Sequence, residues 1–426
     1  MRAMNPDTRA ARLAWCVFAI MFALMVLDHV DRQIVASMFP LLKVRWGLSD
    51  GELGLLASVV AITVAVGTIP LSIVAERWGH LRSLFWMAVI WSGATIACAY
   101  ATRYGELLFA RAFIGVGEAA YGSVGCALLA TLFPERFRST VLGTFLVAAL
   151  IGAVVGVMMG GVVVQHWGWR GGFAVAGIPG LVLAVMLLFT GRGIVPVASA
   201  PAVRNQGLWT MTAAVFAALA KARSAPFACV AAGLQLVSVS AMYAWLPSYF
   251  NRAYDLASAQ AGVAAGLVVL AGVPGAIAFG LVADAMAQRF PASRYYLPAA
   301  AALLTATFIA AAFGTAHAGP LQIAWLVLGA ASMTGIVGPV TAAIVDVVPA
   351  FARATAAAVL AATQNLFGLA LGPVLVGMLS DRQGLASAMT AVPVCCLAAG
   401  LLFLAAARAY PRDRGRAERL QPAVSL

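Results

Sequence analysis

Apolar runs long enough to cross a bilayer recur along this chain, and the polar breaks between them are short. A membrane-crossing helix needs ~20 apolar residues. The breaks delimit twelve such spans, at roughly 13–37, 53–75, 83–101, 105–132, 140–165, 170–190, 226–250, 260–283, 295–314, 320–347, 354–379 and 386–407. Apolar residues make up 63% of the 426 and charged residues 10%, against ~45–50% and ~25% in soluble domains. That excess excludes an ordinary soluble protein, and it excludes disorder, which needs low hydrophobicity. A transmembrane barrel would alternate polar and apolar residues over ~10-residue strands. Unbroken runs such as 181–189 and 299–305 do not alternate, so the expected fold is all-α.

The N-terminal Arg2, Arg9 and Arg12, followed by the apolar stretch 13–27, imitate a secretory signal. No small-residue cleavage site follows, so the stretch reads as span 1. Cys16, Cys98, Cys126, Cys229, Cys395 and Cys396 all lie in apolar segments without metal-ligand spacing. They read as small buried hydrophobes, and no metal site is expected.

The formal charge of +12 would suggest nucleic acid in a soluble protein. Here the basic residues sit in connections, where they set orientation. With both termini inside, nineteen Lys and Arg fall on inner segments and six on outer ones, while Arg32 and Arg111 lie within spans. Both termini are therefore expected in the cytoplasm. Richness in arginine and alanine points to a GC-rich bacterial genome, hence an inner membrane. No nucleic-acid partner is expected.

One connection, 191–225, is long. Within it Leu208, Met211, Val215 and Leu219 share a helical face, with Lys221 and Arg223 at the end. An amphipathic helix on the membrane surface is expected there. The domain reading is a bundle over 1–190, this linker, a second bundle over 226–408 and a cytoplasmic tail over 409–426. The two halves also repeat. Gly152, Gly156 and Gly161 in span 5 have counterparts Gly368, Gly372 and Gly377 in span 11, each 216 residues later. Arg138-Ser139-Thr140 matches Arg353-Ala354-Thr355, and Ala75-Glu76 matches Ala283-Asp284. Six spans per half give both halves the same orientation, the parallel repeat of a duplicated transporter with its substrate site between the halves.

An ionisable group inside a span is costly and marks function by default. Span 1 carries Asp28, His29, Asp31 and Arg32, and span 4 carries Arg111 and Glu118. Asp28, Asp31 and Arg32 share one helical face, as do Arg111 and Glu118. Mutual pairing would offset the burial cost. Burial disfavours a charged carboxylate and a neighbouring arginine favours it, so a movement that swaps those surroundings would move a proton. Asp31 and Glu118 are the first candidates for that switch, with Asp28 and His29 beside them. Arg32 and Arg111 are charge partners or anchors for an anionic head group. The alternative is a fixed salt-bridge brace.

Glu76, Arg77 and Gly79 at the end of span 2, and Asp284 at the end of span 8, are candidates for a conformational latch, the alternative being plain loop solvation. Gln235, Tyr243, Trp245, Met333, Thr334, Gln364 and Asn365 are cavity candidates, each also readable as structural. The glycines of spans 5 and 11 let helices approach closely. No phosphate-binding loop of the GxxxxGK[ST] type, enzyme constellation or channel filter occurs in the sequence. No enzyme activity and no cofactor beyond a proton gradient are expected.

Over nearly the whole chain these features resemble the major facilitator superfamily. Glu76-Arg77…Gly79 resembles its loop signature, with glutamate for aspartate, and 280–284 is a closer second copy. The run Arg111–Ala119 resembles its span 4 signature. Glycines 152–161 resemble its span 5 signature, with Val157 for the customary proline. Within the superfamily, Asp31-Arg32, the GVGEAAY stretch 115–121 and Gly377–Asp381 look like Spinster-type transporters. That resemblance implies proton coupling, lysolipid or sphingosine-phosphate cargo, and a coupling and gating cluster of Asp31, Arg32, Arg111 and Glu118. The chain departs from the animal members at Asp28 and His29, where they carry an amide and an aromatic residue. The expectation is a monomeric twelve-helix secondary transporter working by alternating access, coupled to protons and carrying a lysolipid-like amphipath. A small organic-anion symporter, a multidrug exporter and a non-transporting receptor on the same fold are the alternatives.

Overall fold

The computed structural model describes residues 6–191, 222–314, 319–348 and 353–420. Most of the linker, including all but the last two residues of the expected surface helix over 208–223, lies outside the described residues. So does the end of the tail, 421–426.

Among the described residues, eleven helices are long and apolar enough to cross a membrane. One of them, Glu135–Gly191, has 57 residues. At 1.5 Å per residue it would run ~85 Å straight, against a hydrocarbon core of ~30 Å. It turns at Gly168, whose φ of 65° lies where a side chain would be strained. The sequence break between spans 5 and 6 falls at this turn, so the described residues make twelve passes.

Spans 1 to 3 are Pro6–Trp46, Asp50–Trp78 and His80–Tyr100. Span 2 starts with a capping box, in which Ser49 accepts from the Glu52 amide and Glu52 from the Ser49 amide. It ends at Gly79, at φ 91°. Span 4 is two helices, Tyr104–Glu118 and Tyr121–Leu132. In the second half, span 7 is Ser224–Ala253 and span 9 is Ser293–Gly314. Span 8 is divided into Ser258–Leu270 and Gly272–Ala287, and span 10 into Pro320–Met333 and Val337–Asp346. Span 11 joins Arg353–Thr363 and Leu371–Gln383 through a π-helical segment, Gln364–Leu369. Span 12 comprises Leu385–Met389 and Val392–Leu420. That last helix continues through Pro411, well past the expected start of the tail.

The chain forms two compact units, Met1–Ser199 with Phe250–Gly266, and Ala200–Tyr249 with Leu267–Leu426. The turn between spans 7 and 8 thus belongs to the first unit. Close helix approach organises that unit. At Gly152 and Gly156, span 1 backbone at Val26 and Val30 occupies the space a side chain would need. Gly115 meets span 2 at Val60 and Thr63 in the same way, and Gly117 meets span 3 at Met87 and Trp91. The end of Tyr104–Glu118 is therefore clamped between spans 2 and 3. In the second unit the core is rich in alanine, with Tyr295, Phe403 and Tyr410 as its large members. Small residues suit a lipid setting, where packing rather than water exclusion drives helix association.

Candidate functional site

The clamp on span 4 delivers Glu118 to span 1. The Arg32 guanidinium stands between two carboxylates: its Nε is 2.8 Å from Glu118 Oε2 and 3.8 Å from Asp28 Oδ2. Asp28 Oδ2 also lies 2.9 Å from His29 Nδ1. Further along, Arg111 Nη1 is 3.7 Å from Asp31 Oδ2. Arg111 also donates to two backbone carbonyls, Leu56 at 3.2 Å and Asp31 at 3.3 Å. The two arginines thus pair across the spans, Arg32 of span 1 with span 4 and Arg111 of span 4 with span 1.

All six charged or titratable residues expected from spans 1 and 4 come together. On an insertion scale each charge at mid-membrane costs ~3 kcal/mol, so five together cost on the order of 15 kcal/mol. That reaches the upper end of a typical domain's stability, so the charges need one another as partners. Pairing is nonetheless incomplete. Three carboxylates face two guanidiniums, and both oxygens of Asp31 and of Glu118 lack a well-aligned hydrogen bond.

Access to the cluster is uneven. The side chains of Arg111 and Glu118 are 0% exposed and those of Asp31 and Asp28 2% and 4%, whereas Arg32 retains 18% and His29 23%. Arg32 and His29 stand in front, and the carboxylates and Arg111 behind.

Span 4 is interrupted immediately after Glu118. Ala119 and Ala120 separate its two helices, and Thr68 of span 2 supplies a hydroxyl to the Ala119 carbonyl at 2.7 Å. Tyr121, fully buried, donates to the Met21 carbonyl of span 1 at 3.3 Å. Backbone freed from helical bonding inside a membrane needs such partners. Two alanines carry no break signal, so the interruption was invisible in the sequence.

The latch candidates are not drawn into the cluster. Glu76, Arg77 and Asp284 are exposed, and neither carboxylate makes an ion pair among the described residues, while Gly79 is the joint between spans 2 and 3. The ion pairs of the connections lie elsewhere. Asp50, 1% exposed, accepts from Arg252 at 2.7 and 2.8 Å and from Lys43 at 2.7 Å. Asp346 pairs with Arg294 and accepts from the Tyr410 hydroxyl at 2.6 Å. Sequence reading missed both groups, whose members lie up to 202 residues apart.

Among the cavity candidates, Gln235 is fully buried and donates to the Met333 carbonyl at 3.2 Å and to Thr305 at 3.4 Å. Trp245, also fully buried, donates to the Pro373 carbonyl at 2.9 Å and ties span 7 to span 11. Met333 is buried, and Thr334 donates to the Gly272 carbonyl at 2.6 Å across the breaks of spans 10 and 8. Tyr243, Gln364 and Asn365 are half-buried. Gln364 and Asn365 open the π-helical segment, an irregularity frequent at functional sites.

Membrane-crossing helices in both units, with a buried ionic cluster inside the first, mark a polytopic membrane protein. The sequence profile of the Major Facilitator Superfamily matches residues 21–366, and the chain belongs to that family. It is 27% identical over 425 residues to an MFS-type efflux pump of Mycolicibacterium smegmatis, covering 96% of each chain. It is 25% identical over 426 residues to the sphingosine-1-phosphate transporter SPNS2 of Danio rerio, covering 92% of this chain and 84% of that one. Its fold is similar to a crystal structure of a bacterial homologue of the human lysosomal transporter Spinster, at TM-score 0.83 and 20% identity over 97% of this chain and 99% of that one.

Proposed function

We propose that the chain is a proton-coupled transporter that works by alternating access and carries an anionic-headed, lysolipid- or sphingolipid-like amphipath. The observation that carries this reading is the charge excess of the cluster. Three buried carboxylates against two guanidiniums leave one negative charge uncompensated, and one proton balances it. Glu118 is the position where that proton matters most, because it shares Arg32 with Asp28. Protonated, Glu118 lets go of Arg32. The guanidinium, the accessible charge at the front, then turns to Asp28 or to the anionic head of a cargo. Proton and cargo thus compete for one arginine, and that competition is a coupling mechanism. The similarity to a sphingosine-1-phosphate transporter supports the cargo class.

The test is flux in proteoliposomes under an imposed pH gradient, comparing a labelled lysophospholipid with a small aromatic carboxylate. Lysolipid flux that requires both the gradient and Glu118 is the expected result. Carboxylate flux alone would replace the cargo by a small organic anion. Gradient-driven flux that survives Glu118→Gln would end the coupling mechanism.

A further inference from the structure

The long helix of span 12, Val392–Leu420, has two opposite faces. Phe403, Ala406, Ala407 and Tyr410 are buried on one of them. On that side the Tyr410 hydroxyl donates to Asp346 at 2.6 Å. Asp413 accepts from the Ser224 amide, at the start of span 7, at 2.7 Å. The other face is apolar and open, with Val394, Leu397 and Leu401 64%, 49% and 57% exposed. An open apolar stripe on a membrane-crossing helix faces lipid. At ~100° per residue the stripe passes Ala405 and runs straight on into Arg408, Arg412 and Arg416, all three exposed. They recur every fourth residue over ~12 Å of helix, and the first stands ~10 Å beyond Leu401. Asp413, the acidic residue among them, is taken up by the Ser224 amide.

We infer that Arg408, Arg412 and Arg416 form a binding surface for the phosphate head groups of anionic phospholipids, in the leaflet where span 12 ends. Acyl chains of that leaflet lie along Val394, Leu397 and Leu401, which brings the head groups of the same molecules level with the arginines. A guanidinium takes phosphate through two parallel N–H donors, and its apolar stem can run along the chain region while the charge reaches the head group. Residues four apart on a helix are neighbours, so Arg412 can share a phosphate with either side. A zwitterionic head group brings an ammonium with its phosphate, and the stripe repels it. A topology signal counts basic residues whatever face they occupy; it does not require them to continue the lipid-facing stripe. The bonds of Tyr410 and Asp413 on the opposite face fix the rotation of the helix. The three charges are thus presented as a preformed surface, which lowers the ordering cost of binding.

The test titrates the purified full-length protein in detergent with phosphatidylglycerol and with phosphatidylcholine of the same acyl chains, at one salt concentration. Bound lipid is counted by native mass spectrometry. Each basic residue close to an anionic lipid surface is worth about fivefold in affinity. Wild type is therefore expected to prefer phosphatidylglycerol at least about tenfold. The combined variant Arg408→Gln, Arg412→Gln, Arg416→Gln brings that preference to about twofold or less. Among single substitutions Arg412→Gln, with a neighbour on each side, costs the most. A control variant, Arg77→Gln, Arg82→Gln, Arg289→Gln, removes equal charge from the connections after spans 2 and 8, where all three arginines are exposed, and keeps the preference. Thermal unfolding checks that the variants are folded, and the single substitutions carry the test if the combined variant is not. Equal binding of the two lipids to wild type, an unchanged ratio in the stripe variants, or an equal loss in the control would overturn the inference.

Discussion

In the first unit Gly152 and Gly156 of span 5 lie against Val26 and Val30 of span 1; in the second, Gly368 and Gly372 of span 11 lie against Gly233 and Val237 of span 7. The contact is the same one, displaced by 216 residues on one helix and 207 on the other. In that register Gln235 stands where Asp28 stands, and Ser238 where Asp31 stands. The fourth span of each half is broken, and the last residue before the break is Glu118 in one and Met333 in the other. Even the neighbouring threonines correspond, for Thr95 and Thr305 each donate to the carbonyl four residues back. One scaffold is thus filled twice, ionically and then neutrally. The neutral filling largely satisfies itself in place, since Gln235 bonds directly to the Met333 carbonyl at the break. The ionic filling carries an unbalanced charge that only a proton or a ligand can neutralise. Duplication supplied the geometry, and residue type decided which copy is reactive.

That contrast can be broken from either side. The largest effect on flux is expected from Glu118→Gln, which keeps the shape and removes the charge. Gradient-driven flux should fall at least ~100-fold, a loss of ~2.7 kcal/mol, whereas Met333→Leu should stay within ~3-fold in the same assay. Next comes Arg111→Met, which strands Asp31 as a buried unpaired charge. A destabilisation of ~3–5 kcal/mol is expected, read as a fall in Tm in detergent, and adding Asp31→Asn should recover much of it. A third substitution, Gln235→Leu, strikes the neutral copy. It leaves the Met333 carbonyl without its partner, for a cost of ~1–3 kcal/mol in the same melting experiment, and the pH dependence of flux should keep its midpoint. The smallest effects are expected at the two breaks. Thr68→Val and Thr334→Val each remove one hydroxyl bond worth ~0.6–2 kcal/mol in a membrane interior. Of the two, only Thr68→Val, beside Glu118, should also shift the pH midpoint of flux. Equal midpoints in both variants would mean that the break does not position the carboxylate.

Much of this site was legible before folding. Charges inside apolar spans are rare because they are costly, so Asp28, Asp31, Arg32, Arg111 and Glu118 stood out without any tertiary information. Glycine spacing disclosed both the repeat and the tight contacts of spans 5 and 11. The partners of each charge were not legible. Helical spacing put Arg32 with Asp28 and Arg111 with Glu118, yet Arg32 approaches Glu118 closely and Arg111 takes Asp31. Polar residues of the second half gave no sign of which would be buried, because a glutamine satisfied by a carbonyl and one lining a cavity have the same local sequence.

The sequence by itself determined the number of spans, their helical nature and the confinement of buried charge to the first half. Those properties follow from the solvent: a bilayer demands apolar length and internally bonded backbone, and both are written in local composition. Only the tertiary structure decided the cross-pairing of the arginines, the break after Glu118, and the ion pairs centred on Asp50 and Asp346. Each of these depends on which groups meet across spans, and in a low-dielectric interior a charge or a freed carbonyl takes whichever partner the packing brings within about 3 Å.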